Sequence, residues 1–179
     1  MNATVQTGYF FMPEHIILVG ASERPHSLGE RIFSHLLGSS YQGKITPVNL
    51  RHSSVAGIPS YSSLSKIPGQ ADLVVAVIPP DHYDSLFKAC RKKDLRHIIL
   101  IQDWENLPPE SCKNARSIIQ KHHGDELNIS VCNSAGVQLP SLNLNIGTQA
   151  DYPAGHIALL TGHSTVSRNI NHLLNTMHQ

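Results

Sequence analysis

The sequence has almost no net charge, few cysteines and no long apolar run. Its 14 Lys and Arg residues nearly balance 13 Asp and Glu residues, for a formal net charge of +1. That balance gives no basis for a nucleic-acid or membrane-surface partner. The apolar runs are too short to cross a bilayer, and Met1 to Phe11 contain no basic segment of the kind that begins a signal peptide. We therefore expect a cytoplasmic protein with no nucleic acid and no membrane among its partners.

The cysteines and histidines form no pattern typical of a metal site. Cys90, Cys112 and Cys132 are widely spaced and include no Cys-x-x-Cys pair, which is typical of reduced thiols. The twelve histidines are scattered along the chain. The adjacent pair His122-His123 comes at a predicted helix end, where cationic side chains are favoured. We predict no metal site.

Apolar runs of strand length alternate with helical patterns along the first two thirds of the chain. The predicted strands are 15–19, 44–49, 72–78, 97–101 and 127–131. The first, third and fourth contain unbroken apolar runs typical of strands buried on both faces, whereas the fifth is more polar and is expected near an edge. Helical patterns follow Ser27, Pro80 and Pro109. This alternation predicts an α/β fold, a Rossmann-like doubly wound parallel sheet.

The turn after the first predicted strand has the features of an anion site. The strand ends at Gly20, and Ser27 is a candidate N-cap for a helix whose apolar spacing begins at Leu28. A helix N-terminus presents unpaired N–H groups and the positive end of its dipole to one point. The dinucleotide fingerprint has three closely spaced glycines at such a turn, but here only Gly20 and Gly29 are present.

No acidic residue lies between Glu30 and Asp72. NAD-binding folds usually carry an acid near the end of the second strand, where it accepts hydrogen bonds from ribose hydroxyls. Here Asn49, Arg51 and His52 occupy that stretch. The set suits a ribose that carries a phosphate, so it disfavours NAD and leaves both NADP and coenzyme A open.

The chain changes character after the fifth predicted strand. A turn-rich segment runs to Pro153, and residues 155–161 then read as a further buried strand, followed by a helix with an apolar face. The residues of that face are Val166, Ile170, Leu173, Leu174 and Met177. One strand–helix unit cannot bury both of its faces alone. We expect a domain at 1–150 and an extension at 151–179, which is either the start of a truncated second domain or an element docked on the first domain or on another copy. Its helix 165–177 is the expected contact with another copy or with a missing domain.

Several motifs, taken in order, carry a family resemblance. They are 17–29, Gly43-Lys44-Ile45-Thr46-Pro47-Val48-Asn49, Val55-Ala56-Gly57-Ile58-Pro59-Ser60-Tyr61, Ala71-Asp72-Leu73-Val74 and Ile78-Pro79-Pro80. Together they resemble the CoA-binding domain of succinyl-CoA synthetase α subunits. The likeness is closer to ADP-forming acyl-CoA (acetyl-CoA) synthetases and to lysine acetyltransferases that carry an inactive copy of that module. Asn133-Ser134-Ala135-Gly136 resembles the family's Gly-Pro-Asn-x-x-Gly turn, and 155–159 resembles the start of its second, flavodoxin-like domain.

The resemblance implies a module that binds coenzyme A or acyl-CoA. It assigns residues to three parts of the ligand, which are the phosphates, the adenosine and the thiol end. Those at the phosphates are Gly20, Ala21, Ser22, Ser27, Leu28 and Gly29; those around the adenosine are Asn49, Arg51, Ile78, Pro79 and Pro80; and those facing the thiol are Asn133 and Ser134.

The departures from the family concern the reactive end of the pocket. Val131 and Cys132 stand where the family has Gly-Pro, and 161–164 replaces a serine-rich turn. The family's phosphohistidine and nucleotide-hydrolysing domain belong to later regions, and His163 does not occupy the phosphohistidine's motif position. We therefore assign no catalytic residue and do not expect this chain alone to complete a synthetase cycle.

Two other functions remain open from the residues. One is an NADP-dependent oxidoreductase or redox-sensing dinucleotide binder, although none of Tyr61, Tyr83 and Tyr152 has a lysine four residues on. The other is acyl transfer through Cys132, for which the sequence places no base nearby.

Overall fold

The computed structural model describes residues 10–124, 126–156 and 158–177. In chain order the helices and strands are β1 (His15–Val19), α1 (Leu28–Gly38), β2 (Lys44–Val48), β3 (Ser54–Val55), β4 (Ile58–Pro59), β5 (Leu73–Ala76), α2 (Tyr83–Lys92), β6 (His97–Ile101), α3 (Pro109–His122), β7 (Asn128–Cys132), β8 (Val137–Leu139), β9 (Leu144–Ile146) and α4 (Ser164–Met177). Short 3-10 turns precede α2 and α3 at Pro80–His82 and Trp104–Asn106.

The centre of the molecule is a five-stranded parallel sheet in the order β2-β1-β5-β6-β7. The predicted Rossmann-like α/β fold is therefore confirmed, and the more polar strand β7 lies at an edge as expected. Strand β2 forms the other edge, and its Pro47 accepts a hydrogen bond at its carbonyl from the amide of Tyr61, on the side away from β1. The missing N–H of Pro47 therefore costs the ladder with β1 nothing.

Two apolar layers cover the two faces of the sheet. On one face Ile16, Leu18 and Ile99 pack with α1 and with the antiparallel hairpin β8–β9. On the other face Ile17 and Ile98 pack with α2 and α3. Successive strand residues point to opposite faces, so a continuous apolar run is needed where both faces are covered. The predicted buried face of α2 is confirmed, and its members are Tyr83, Leu86, Phe87 and Cys90.

Helices α2 and α3 are joined by a polar cluster around Asp84. Its carboxylate pairs with Lys88 of the same helix and accepts hydrogen bonds from Lys121 and from Nε2 of His122, at 3.3 and 2.8 Å. Arg91 donates to the main-chain carbonyl of His122 at 3.0 Å. The hydrogen bond from Lys88, followed by those from His122 and Lys121, holds the pKa of Asp84 well below its usual value of 3.8.

The segment before α4 differs from its prediction. Residues 158–160 form no strand and are exposed, with Leu160 fully so; Ile157 lies outside the described residues. An apolar run becomes a strand only when a neighbour satisfies its backbone groups, and no strand of the described chain pairs with this one. The predicted helix does form, and on its predicted apolar face Val166 is 46 % and Leu173 is 58 % exposed. Leu174 and Met177 were predicted for the same face, but their side chains are outside the described part of the structure.

One buried hydrogen-bond group fixes α4 to the rest of the structure. The hydroxyl of Tyr152 donates to the carbonyl of Ser167 at 2.7 Å, and the hydroxyl of Ser167, a buried residue, donates to Gln149 at 3.1 Å.

None of the helices in the described ranges is both long and apolar enough to span a bilayer. Within the same ranges, no group of three His, Cys, Asp or Glu side chains is placed to hold a metal ion.

Candidate functional site

The candidate site lies at the point where the strand order reverses. The second strand in sequence, β2, lies on one side of β1, and β5 lies on the other. In open parallel sheets of this order, ligands bind in the crevice outside the carboxyl ends of the strands at such a switch point. The loops that follow β1, β2 and β5 begin at that edge, and they carry Gly20, Asn49 and Ile78.

Gly20 and Gly29 allow three backbone segments to meet at the base of this crevice. Gly20 has φ +93°, and a Cβ atom there would lie 2.2 Å from the carbonyl oxygen of Val77. A Cβ atom at Gly29 would lie 2.2 Å from the carbonyl oxygen of Gly20. Because Gly20 and Gly29 have no Cβ atom, the end of β1 can pack against the end of β5 and against the first turn of α1.

The donors at the N-terminus of α1 are main-chain amides. Ser27 is the N-cap, as predicted, and its hydroxyl accepts a hydrogen bond from Glu30 N at 3.2 Å. The hydroxyl of Ser22 accepts from Arg24 N at 3.0 Å. In the described part of the chain, no acceptor is bonded to the amides of Ser22, Leu28 and Gly29. These amides and the helix dipole suit an oxyanion, whereas the two serine hydroxyls shape the loop.

Asn49 joins the loop after β2 to the loop after β1. Its Nδ2 donates to the carbonyl of Ala21 at 2.8 Å, and its Oδ1 accepts from the amides of Arg51 and His52 at 2.8 and 3.0 Å. The side chain of Arg51 is exposed. The structure therefore brings the loop of Arg51 and His52, here called the cationic loop, close to the N-terminus of α1, on the side of β1 away from β5. The amides at that N-terminus are called the anion site below.

The Ile78-Pro79-Pro80 segment forms the opposite wall. Ile78 is half-buried, Pro79 is exposed, and Pro80 is buried at the first position of the 3-10 turn that leads into α2. Because proline fixes its own φ and restricts the residue before it, this wall is rigid. The wall lies beside Gly20, and the bracketing of a ligand by these residues stays a prediction.

The Asn133–Ser134 turn is held near α1 by the hairpin β8–β9. Thr148 follows that hairpin, and its amide and hydroxyl both donate to the carbonyl of Ser134, at 3.1 and 2.8 Å. Arg31, in the first turns of α1, donates to the carbonyl of Thr148 at 3.0 Å. Asn133 accepts from Ala135 N at 3.0 Å through its Oδ1 and so closes its own turn. Sequence reasoning missed the hairpin and the roles of Arg31 and Thr148, because nothing local in the sequence signals them.

The two acidic side chains next to the N-terminus of α1 are bonded to other groups. Glu23, in the loop after β1, accepts a hydrogen bond from the amide of Ala56, and Glu30, in the first turn of α1, accepts one from the hydroxyl of Ser34 at 3.1 Å. A shallow hollow of about 430 Å³ lies beside α3, with Asp81, Glu110 and Lys113 among its lining residues. Its two carboxylates make it a poor site for phosphates, and both acids lie in first turns of helices, where the dipole favours them.

Cys132 lies at the end of β7 in an environment that favours the neutral thiol. Burial raises the pKa of Cys132 above its usual value, whereas a nucleophilic cysteine needs a lowered pKa or an adjacent base. The indole nitrogen of Trp104 donates to the Cys132 carbonyl at 2.9 Å and fixes the end of the strand. The geometry thus gives no support to a thiol nucleophile.

Comparison with known families identifies the domain. Residues 14–138 match the family described as the CoA binding domain. The chain belongs to that CoA-binding family. The match covers β1 through most of β8, so it includes every loop of the candidate site. This result confirms the resemblance found in the sequence.

The CoA-binding domain has relatives among ADP-forming acetate–CoA ligases. The α subunit of ligase II from Pyrococcus furiosus is 29 % identical over 155 residues, which are 86 % of this chain and 34 % of the relative. The α subunit of ligase I from the same organism is 26 % identical over 140 residues, or 75 % of this chain and 30 % of the relative. The chain thus spans about a third of the length of these relatives.

Two solved structures share the fold. The Pyrococcus horikoshii protein PH0766 matches with a TM-score of 0.77 and 23 % identity, over 96 % of this chain and 40 % of that protein. An acetyl-coenzyme A synthetase from Ca. Korarchaeum cryptofilum, solved with phosphate and ADP, matches with a TM-score of 0.76 and 20 % identity, over 93 % of this chain and 36 % of that protein. The comparisons do not support the alternative of an NADP-binding protein.

Proposed function

We propose that this chain binds coenzyme A or an acyl-CoA in the crevice at the switch point. The observation that supports this most directly is the group of amides at Ser22, Leu28 and Gly29, which have no acceptor among the described residues and lie at the positive end of α1. The pyrophosphate binds these amides. The cationic loop at Arg51 receives the phosphorylated ribose, where a bare ribose would require an acid.

The walls of the crevice suggest where the adenosine and the pantetheine arm of the ligand lie. Ile78 and Pro79 bracket the adenosine, opposite the loop that Asn49 holds. The pantetheine arm runs toward the Asn133–Ser134 turn, which Thr148 and Arg31 tie to α1. Cys132 is not a nucleophile in this proposal, since burial raises its pKa. No step of bond making or breaking is assigned to this chain.

We further propose that the chain is the coenzyme-binding part of a larger assembly. Support comes from its relatives among the α subunits of ADP-forming acetate–CoA ligases, of which the matched residues cover only 34 % and 30 %. The assembly is an acyl-CoA synthetase, or an acetyltransferase that carries this module; a purely regulatory CoA-binding role is the other form of the proposal. Residues 1–150 form the binding domain. Helix α4 docks on the remaining domains or on another copy, through the exposed side chains of Val166 and Leu173.

The test is a ligand panel measured by thermal shift, followed by calorimetry. A ligand at 100 times its Kd adds about 2.7 kcal/mol, or about 5–11 °C for a domain of this size. We expect coenzyme A or acetyl-CoA to give the largest shift, ahead of dephospho-CoA, NADP and NAD. A larger shift with NADP, or no shift with any CoA compound, would contradict the proposal.

Arg51→Glu is the variant that tests the site itself. Charge-assisted hydrogen bonds contribute about 1.5–3 kcal/mol, so we expect it to weaken coenzyme A binding about 10-fold to 100-fold. Arg116→Glu is the matched control, because Arg116 is an exposed arginine on α3 and its substitution makes the same change in net charge. Equal losses in the two variants would show that Arg51 acts only through overall charge.

A further inference from the structure

The side chain of Asn49 is fully engaged within the protein on its acceptor side. Its Oδ1 accepts hydrogen bonds from two amides, those of Arg51 at 2.8 Å and His52 at 3.0 Å. A carbonyl oxygen has two lone pairs, so this oxygen has no capacity left for a ribose hydroxyl. The resemblance places Asn49 near the adenosine, but these contacts give it a different task from that of the acid in NAD-binding folds.

The same side chain also crosses between two loops. Its Nδ2 donates to the carbonyl of Ala21 at 2.8 Å, and Ala21 is buried beside Gly20 at the base of the anion site. The main-chain amide of Asn49 donates to the carbonyl of Tyr61 at 3.0 Å. Asn49 is therefore fixed from outside the sheet by Tyr61, and its carboxamide fixes the Arg51 loop against the loop after β1.

We infer that Asn49 is a positioning residue that acts through Arg51 and gives the site its preference for a phosphorylated adenosine. This inference rests on the proposed function. Arg51 is exposed and has no ion pair among the described residues, so its direction depends on the main chain that carries it. The carboxamide holds that main chain at two successive amides and joins it to Ala21.

Asn49→Ala removes these three hydrogen bonds and leaves the Arg51 side chain in place. Asn49→Ser keeps a short acceptor that can serve the amide two residues on but cannot span the gap to Ala21. The matched control is Asn114→Ala, which changes an exposed asparagine on α3 outside the site. Arg51→Ala and the Asn49→Ala/Arg51→Ala double variant complete a cycle that measures coupling.

The experiment measures the Kd values of coenzyme A and dephospho-CoA by calorimetry for all six proteins, after thermal melts have shown that each is folded. We expect wild type to prefer coenzyme A at least 10-fold, and Asn49→Ala to reduce that preference to nearly the value of Arg51→Ala. The double variant should match Arg51→Ala, and Asn49→Ser should lie between Asn49→Ala and wild type. Asn114→Ala should behave as wild type.

Three results separate the possible failures. If wild type binds neither compound, the proposed function is wrong and the inference falls with it. If wild type binds coenzyme A but Asn49→Ala weakens both compounds equally, Asn49 has only a general structural role. If Asn49→Ala weakens coenzyme A by the same factor with and without Arg51, Asn49 contacts the ligand independently. Each of the last two results overturns the inference and leaves the proposed function standing.

Discussion

Gly29→Ala offers the most direct test of how this site is built. Gly29 is the second residue of α1, and a Cβ atom there would lie 2.2 Å from the carbonyl oxygen of Gly20. That oxygen belongs to the main chain at the end of β1. It cannot move away freely, because Gly20 itself packs against the carbonyl of Val77: a Cβ atom at Gly20 would lie 2.2 Å from the Val77 carbonyl oxygen. The added methyl group must therefore move either α1 or the end of β1.

The expected loss of stability follows from this geometry. Real Cβ atoms essentially never approach a neighbour within 3.0 Å, so the segments must separate by about 0.8 Å, the difference between that limit and the 2.2 Å contact. Overpacking of this kind costs about 1–3 kcal/mol, and a contact between two main-chain segments belongs at the upper end. Alanine recovers at most about 1 kcal/mol through helix propensity. The net loss of about 2 kcal/mol lowers Tm by about 4–8 °C.

The control lies in the same helix. Gly38 is the last residue of α1, is exposed, and has no neighbour within 4 Å of its Cβ direction. Gly38→Ala should therefore leave Tm unchanged or raise it slightly. Thermal melts followed by far-UV circular dichroism compare the two variants, and calorimetry then measures coenzyme A binding, which should weaken in Gly29→Ala because the amide of Gly29 has moved. A Gly29→Ala variant that melts at the wild-type temperature, or a Gly38→Ala variant that is destabilised as much as Gly29→Ala, would contradict this expectation.

Two further predictions follow from shifted pKa values. The pKa of Asp84 is lowered in the folded state, so its pairing with Lys88 and His122 stabilises the fold at pH values above the ordinary pKa of 3.8. That stabilisation is lost as the pH falls below this value. Asp84→Asn should therefore have a lower Tm than wild type near neutral pH, and the difference in Tm should narrow in acid; a difference that does not change with pH would contradict this. Burial raises the pKa of Cys90 to about 12 and also raises that of Cys132. Iodoacetamide should therefore label both thiols much more slowly in the native protein than in urea, as measured by mass spectrometry, and rapid native labelling of Cys132 would restore the hypothesis of a thiol nucleophile.

The parts of the fold that could be predicted are those with strong local signals. Strands β1, β5 and β6 carry unbroken apolar runs because both of their faces are covered, and their predicted positions agree with the structure to within a few residues. Ser27 could be identified as an N-cap because the capping interaction involves only neighbouring residues. Since the carboxyl ends of parallel strands share one edge, the strand pattern alone was enough to place the candidate site at that edge.

The parts that could not be predicted depend on distant partners. Strands β8 and β9 have three residues each and are separated by a 3-10 turn and by Asn143 with φ +52°. Their pattern is too short to indicate a hairpin, and they are stabilised by packing against α1. Residues 155–161 show the opposite case. Their apolar pattern is that of a buried strand, but the described chain provides no strand beside it, so 158–160 stay exposed.

The roles of the site residues show a similar limit. Asn49 and Asn133 were both predicted to contact the ligand. In each, however, Oδ1 accepts a hydrogen bond from the main-chain amide two residues later in the chain. Nδ2 donates to a carbonyl of another segment, that of Ala21 for Asn49 and that of Gly162 for Asn133. Asparagine combines a donor and an acceptor on one short side chain, so it suits this joining role as well as ligand binding. In the proposed binding mode, the groups that meet the phosphates are main-chain amides, which every residue type except proline possesses. Sequence can therefore locate such a site through the residues that shape its backbone, while the identity of the ligand must be sought at the few side chains, Arg51 above all, that face outward.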